Sequence, residues 1–339
     1  MKRCIKGIYF WLMARFDFLK LFHGVFIAKA FRREILSVYR GIERYGIGVL
    51  NLEGHRFRVR RNIHRLEKGL IMDPMKNVFA LGYIQETIDS FEAVVSGHCE
   101  PVDHDELAWF CDVLTEYFSV TGSDPVIEKC ERRFSLLAEG IGRRSEPQKS
   151  SPVARSEYEI APVGFDDFYK LTRQRRSVRW YEDTPVPRSL VDQAISAAAQ
   201  SPSACNRQPF EFVVIDTPAV VNRVSDIPMG TKGFAHQFPM IVVLVGKLEA
   251  FAFARDRHLI YIDASLAAMT FMLALETLGL SSCPINWPDI ETLEDEMAKQ
   301  LGLDACERPV MLISVGYAKQ SGMIPHSHKK SLDQIRKFL

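Results

Sequence analysis

The stretch that most limits what this chain can become is Leu259 to Leu278. Ile260, Ile262, Ala264, Leu266, Met269, Phe271, Leu273 and Leu275 leave almost no polar side on a helix drawn through it. A helix with one apolar stripe can rest on a surface, whereas one that is apolar nearly all round must be covered on several sides, by core and by interface together. The segments from Asp166 onward supply such cover. Their periodicities read as helix 166–174, helix 188–200 entered by Pro185 and Pro187, strand Phe210 to Ile215, helix 217–225, and strand Met240 to Gly246. After the long helix from about 258 to 278 come a short strand, helix 289–301 and strand Pro309 to Val315. This mixture predicts an α+β sandwich around a central sheet.

The first part of the chain has a different character. Residues 1–68 hold 16 Lys/Arg against 5 Asp/Glu, a surplus of eleven positive charges in a chain whose net charge is +1, so the remainder is net −10. Such an asymmetry points to an anionic partner for the N-terminal part or to docking of the two halves on each other. Residues 7–40 read as one or two helices, with Ile8, Phe10, Leu12, Phe16, Leu19, Leu21, Phe22, Val25 and Phe26 forming a broad apolar face among basic residues. That face either packs on its own domain or a dimer mate, or lies in an anionic membrane surface. Lys6, Arg15, Asp17 and Lys20 interrupt it, so no run of 18 apolar residues forms and no signal-peptide cleavage site follows. The reading is a cytoplasmic protein, at most peripheral to the inner face of a membrane.

Gly41 to Arg61, with Gly46, Gly48 and Gly54, reads as a turn-rich connector or hairpin. Arg60 to Leu70 is dense in charge and reads as a solvated helix face, or else as a basic edge in which His64, Arg65 and Lys68 meet a phosphate, nucleotide or glycan. Helical periodicity returns at 77–96, 103–120 and 124–141. Between Arg143 and Ser156 two prolines and no apolar periodicity mark a linker. The expected organisation is therefore a mainly helical basic extension over 1–142, a linker over 143–156 and a second domain over 157–339. Seven cysteines, widely spaced and without a Cys-x-x-Cys pair, indicate neither a disulfide framework nor a metal site. No nucleic acid is expected as a partner.

Two short stretches carry the chemistry. Arg175-Arg176-Ser177-Val178-Arg179 sets three guanidiniums and a hydroxyl together. Ser201-Pro202-Ser203-Ala204-Cys205-Asn206-Arg207-Gln208-Pro209-Phe210 follows after one helix as a loop of small and amide side chains. Guanidiniums grip phosphate or a ring carbonyl, and small residues let a ligand approach the main chain. The pair suits a ligand with a phosphate at one end and a flat polar ring at the other.

These two motifs resemble the signatures of the nitroreductase family of FMN-dependent oxidoreductases. Leu278 to Ile285 resembles that family's helix end and strand over the flavin ring. Val310 to Tyr317 with His328-Lys329-Lys330-Ser331-Leu332 resembles its last strand and basic tail. The resemblance covers about 165–339. It implies a nitroreductase-like sandwich with a central mixed sheet, preceded by the helical N-terminal domain, and a homodimer with FMN at the subunit interface. It also implies that Arg175 and Ser177 hold the FMN phosphate and ribityl end, that Arg176 contributes through backbone or phosphate, and that Arg179 lies by the pyrimidine edge. Pro202, Ser203, Ala204, Asn206 and Gln208 would line ring and ribityl chain, Pro284, Ile285 and Asn286 would lie over the ring, Lys329 and Lys330 would reach the phosphate, and Lys232 the flavin edge. Cys205 reads as a small buried residue, and Trp287 as a side chain that either restricts the substrate face or merely packs.

Only about 12 residues separate the strand ending at Gly246 from the long helix, which implies that the N-terminal half covers the site. The flavin carries the chemistry, so no catalytic side chain is singled out and no metal is expected. The reaction implied takes hydride from NAD(P)H and passes it to a small-molecule electron acceptor by a ping-pong cycle. Two alternatives stand beside it: a flavin enzyme without NAD(P)H, such as a heterocycle dehydrogenase, reductive dehalogenase or flavin-cleaving relative, and a non-catalytic flavoprotein-derived scaffold that binds an anionic surface.

Overall fold

The structure, a computed structural model, describes residues 15–47, 52–96, 103–141, 150–157 and 159–339; the side chains of residues 29, 30, 47 and 52–54 are not described. Ile8, Phe10, Leu12, Gly48 and the first half of the expected linker lie outside the described residues.

The C-terminal half is built on four strands, β1 (Phe210–Ile215), β2 (Met240–Lys247), β3 (Ser281–Asn286) and β4 (Glu307–Gly316), in the order β1-β2-β4-β3. Every neighbouring pair is antiparallel. A mixed sheet was expected, and parallel pairing is confined to one isolated bridge between Ser177 and Ser282. β2 is buried from Met240 to Gly246, as a continuous apolar run requires, and its residues alternate between two cores. Met240, Val242 and Leu244 face helices α8 (Arg188–Ala198) and α10 (Leu259–Thr277), meeting Val191, Ala194, Ala267 and Phe271. Ile241, Val243 and Val245 face α9 (Pro218–Asp226) and α11 (Glu291–Leu301), meeting Val221, Val224 and Met297. The result is a three-layer α+β sandwich with α10 as its central helix. α10 belongs to a stretch, Ala254–Thr277, that is long and apolar enough to cross a membrane by length and composition. In this fold half of its surface is core, while Ile262, Leu266 and Met269 form an exposed apolar stripe.

The N-terminal half is helical: α1 (Asp17–Phe22), α2 (Lys29–Ile47), α3 (Leu52–Leu70), α4 (Ile84–Val95), α5 (His104–Val120) and α6 (Pro125–Glu139). Asp103 and Asp124 accept the N–H groups of Asp105 and Val126 at the starts of α5 and α6, with Pro125 at the first helical position of α6. Val59, Ile63 and Leu66 of α3 recur at helical spacing and close a separate core with Ile88, Phe91, Phe110, Leu114 and Tyr117. The segment Asp17–Ile27 buries no residue, and Phe18, Leu21 and Phe26 stand exposed.

The expectation of a connector or hairpin over 41–61 is corrected here, because α2 and α3 occupy all of its described residues. Gly41 is there for close approach rather than for turning. A Cβ on Gly41 would stand 2.7 Å from the Leu248 carbonyl carbon, where α2 crosses the turn after β2. Gly69, one residue before the end of α3, likewise meets the Phe79 ring. Val38 joins Leu248, Phe251 and Ile260 in a fourth small core, so α2 sits on the short connection between β2 and α10. Arg44 reaches Glu249 at 3.1 Å and Asp304 at 2.8 Å, and Arg33 pairs with Asp289. Cations of the basic half are thus partly neutralised by acids of the other half. A last pair of helices, α7 (Phe165–Gln174) and the four-residue α12 (Leu332–Ile335), flank the sandwich domain at its start and end.

Candidate functional site

Arg175 caps the C-terminal end of α7 and lies beside the end of α10, where Gln174 Nε2 donates to Glu276 Oε2 at 3.3 Å. The Nε and Nη1 groups of Arg175 are buried without a hydrogen-bond partner. Burial pushes the Glu276 carboxyl up from its usual range, and Gln174 and Arg175 pull it back. The chain then runs along β3: Val178 N donates to Ser282 O at 3.0 Å, and the buried Tyr181 hydroxyl meets Val178 O at 2.8 Å and Ser314 Oγ at 2.8 Å. This pins the arginine motif to the sheet edge. Burial raises the Cys283 thiol, while Arg179, Ser177 and Arg175 lower it, which puts these three side chains around one point of β3.

The other members of this group are less firmly held. The Arg179 guanidinium lies 5.7 Å from the centre of the Phe234 ring. Arg176 is turned to the tail, donating to the carbonyls of Pro325 and His326. On β3, Pro284 is half-buried, Ile285 buried and Asn286 exposed; Lys232, Lys329 and Lys330 are exposed. Trp287 donates from Nε1 to Glu294 Oε1 at 2.6 Å on α11, so it packs against the sandwich.

The second motif stands at the other end of α10. Ala204 N donates to Asp263 Oδ2 at 3.0 Å, and Ser203 Oγ accepts from Gln208 N at 3.0 Å. Cys205, Asn206 and Gln208 have φ of 53°, 51° and 49°. The left-handed region costs a residue with a side chain roughly 1–2 kcal/mol, and such strain persists only where surrounding contacts hold it. Here they do. Arg60 of α3 donates from Nε to Asn206 O at 3.0 Å and from Nη2 to Gln208 Oε1 at 2.9 Å, and Gln208 Nε2 donates to Ala199 O at 2.8 Å. The Asp263 carboxyl is pushed up by burial and drawn down by the Ala204 N–H and the Arg207 charge. Gln208 is therefore engaged within the chain on both sides of its amide. Cys205 is half-buried, and Pro202 is exposed.

Asp263 and Glu276 mark the two ends. Thirteen residues of helix separate them, or about 20 Å at 1.5 Å per residue. One chain thus brings Arg175, Ser177, Arg179 and Pro284 together, and keeps Ser203, Ala204, Asn206 and Gln208 apart from them.

Two positioning residues escaped the sequence reading. Arg60 lay in the charge-dense stretch, and its only signal was a place on the same helix as the apolar Val59 and Ile63. Asp263 was hidden as one of only two carboxylates, with Glu276, in a mostly apolar helix, which is itself a usable sign. His64, Arg65 and Lys68, the residues singled out there, do not reach the motif. His64 meets Glu67 at 3.0 Å, Arg65 stacks 3.6 Å from the centre of the Tyr83 ring, and Lys68 is exposed. Among the described residues no group of three His, Cys, Asp or Glu is placed to hold a metal ion.

Comparison with known proteins points the same way. The model of the nitroreductase family matches residues 172–231 and 221–317, which include the arginine motif, the loop, all four strands and α10. The nitroreductase domain is similar to iodotyrosine deiodinase 1 of Rattus norvegicus, 26% identical over 201 residues that cover 50% of this chain and 68% of that protein. The Homo sapiens iodotyrosine deiodinase 1 is 27% identical over 201 residues, covering 50% and 67%. Among solved structures, an FMN-dependent nitroreductase from Clostridium difficile aligns with a TM-score of 0.43 and 23% identity, over 49% of this chain and 96% of that one. The family match and the deiodinase relatives support an oxidoreductase-type enzyme.

Proposed function

We propose that this protein is an FMN-dependent oxidoreductase whose site is completed by a second copy of the chain. One observation carries the reading: Arg175 keeps two buried N–H groups without partners at one end of α10, while the loop that would meet the same ligand stands at the other end, about 20 Å away. A buried guanidinium with open donors calls for an anion, and a phosphate offers matching oxygens. Arg175 and Ser177 would hold the phosphate and ribityl end, with Lys329 and Lys330 from the tail and the Arg176 backbone beside them. Arg179 and Lys232 would lie toward the ring edge, and Pro284, Ile285 and Asn286 over the ring. Pro202, Ser203, Ala204 and Asn206 would come from the second copy, with Gln208 shaping their loop from behind.

When bound, the flavin supplies acceptance and donation of hydride. The chain's own part is to fix orientation and charge. A permanent cation at Arg179 favours negative charge beside it more than neutral charge, which is the difference that lowers a barrier. The exposed stripe of Ile262, Leu266 and Met269 on α10, together with Phe165, Phe168 and Tyr169 on α7, is the apolar surface a second copy would cover.

NAD(P)H is the proposed source of hydride and a small organic molecule the acceptor, in a ping-pong cycle. Full-length protein should purify yellow with one FMN per chain and bleach under NADH or NADPH without oxygen. A colourless protein that cannot be reconstituted with FMN would overturn the reading. A second reading, reductive dehalogenation, is favoured by the deiodinase relatives that align over half of the chain. Its test is release of iodide from an iodinated phenol by the chemically reduced protein, and absence of iodide under conditions that bleach the flavin leaves the first reading alone.

A further inference from the structure

Between the helical half and the edge of the sheet lies a cavity of about 500 Å³. Arg56 and Arg60 of α3, Arg207 of the motif loop and Lys247 of β2 line it, with Phe210 and Phe212 of β1 on its apolar side. The volume falls within the roughly 300–1,000 Å³ of small-molecule sites. Its lining includes nothing from 172–179, 281–286 or 323–339, so a ligand there would sit apart from the arginine end of its own copy.

The four cations are not equivalent. Arg56 and Arg60 share Glu106, and Lys247 lies 3.1 Å from Glu211 and 3.7 Å from Glu307. Arg207 has no carboxylate within ion-pair distance among the described residues. It is 8% exposed, its Nε is buried without a partner, and its guanidinium lies 4.9 Å from the centre of the Phe251 ring. Stacking on an aromatic face satisfies the flat side of a guanidinium and leaves its edge donors open. Burial lowers the Arg207 pKa from its ordinary value, outweighing the nearby Cys205, Tyr45 and Asp256 that raise it, as for a cation held away from water without a hydrogen-bonded counter-ion. An unpaired charge at the wall of a cavity of this size is costly in isolation and becomes favourable when an oxyanion enters.

We infer that this cavity binds a small oxyanion carried on a planar ring, a carboxylate or a phosphate monoester, with the oxygens on Arg207 and the ring against Phe210 and Phe212. Arg56, which also lines the cavity and is paired with Glu106, would add a second, weaker contact.

Calorimetric titration of the full-length protein, with and without FMN, tests this with two ring anions, adenosine 5′-monophosphate and 3-phenylpropionate. Adenosine, 3-phenylpropanol and inorganic phosphate are the controls. At least one ring anion should bind roughly tenfold or more tightly than its uncharged counterpart and than inorganic phosphate, as expected for a charge-assisted bond. Which of the two binds identifies the oxyanion. Arg207→Gln should remove that preference, and Arg56→Gln should weaken binding a few-fold while leaving the flavin content unchanged. Should Arg207→Gln fail to fold, Arg56→Gln and Lys247→Gln carry the test. The inference is overturned if neither ring anion exceeds its controls, or if the folded variants titrate like the wild type.

Discussion

The two ends of α10 solve opposite problems. At the loop end every strained residue is held: Asp263 takes the Ala204 N–H, Ser203 takes that of Gln208, and Arg60 crosses from the helical half to grip Asn206 and Gln208. At the arginine end the guanidinium of Arg175 keeps two donors open, and the tail that carries Lys329 and Lys330 lies exposed. The main chain of the first end is held by its own chain, with only the Arg207 guanidinium left open, and the second is left for something else to finish. Strain with full satisfaction indicates a preformed surface, whereas burial without satisfaction indicates a receptor.

Substitutions at the two ends should therefore fail in different ways. The largest expected effect is on ligand affinity: Arg175→Ala should weaken FMN binding by roughly 30- to 150-fold, the worth of charge-assisted hydrogen bonds of about 2–3 kcal/mol. Its ligand-free stability should change little, because the two donors it removes have no hydrogen-bond partner in the free protein. Fluorescence titration of FMN and urea unfolding of the apoprotein measure the two quantities, and a variant that unfolds early yet binds flavin normally would break the contrast.

Next, Asp263→Ala should cost about 2 kcal/mol of stability even without ligand, since it strands a buried N–H in a left-handed loop. Arg60→Ala should cost roughly 1–2 kcal/mol in the same assay. Arg60→Lys should recover only part of that loss, because an ammonium cannot serve Asn206, Gln208 and Glu106 together.

The smallest effect concerns pH. Burial raises the Glu276 carboxyl, so the folded state binds its proton more tightly than the unfolded state does. Its contribution is favourable below the unfolded pKa and is lost as pH rises through the raised folded one. Glu276→Gln should then be more stable than wild type at neutral pH, and the gap should close as the solution is acidified. A gap that widens on acidification would place the stress at the wrong residue.

The nitroreductase domain was largely legible in the chain. Its strands and helices follow simple periodicities, and its motifs need residue types that few other structures require in that order. The helical half was legible where apolar spacing is regular, as in Ile84 to Val95 and His104 to Val120. It was misread where glycine serves contact instead of turning, because only the position of Leu248 or Phe79 reveals why Gly41 and Gly69 lack side chains. The distance between the motifs was equally hidden, since Arg175 and Ala204 are 29 positions apart in the chain but are separated by the length of a helix that comes later. Arg60 shows the same limit, because its targets lie 146 and 148 positions away.

The nineteen residues of α10 also act as a gauge. With half of a pocket fastened at each tip, the rod sets how far apart two pockets stand when a pair of molecules lie head to tail, and it sets this for both at once. In the proposed pair, adding or deleting one turn would move both half-pockets by about 5 Å along the rod, and would carry Ala264, Phe271 and Leu275 out of step with the core they fill.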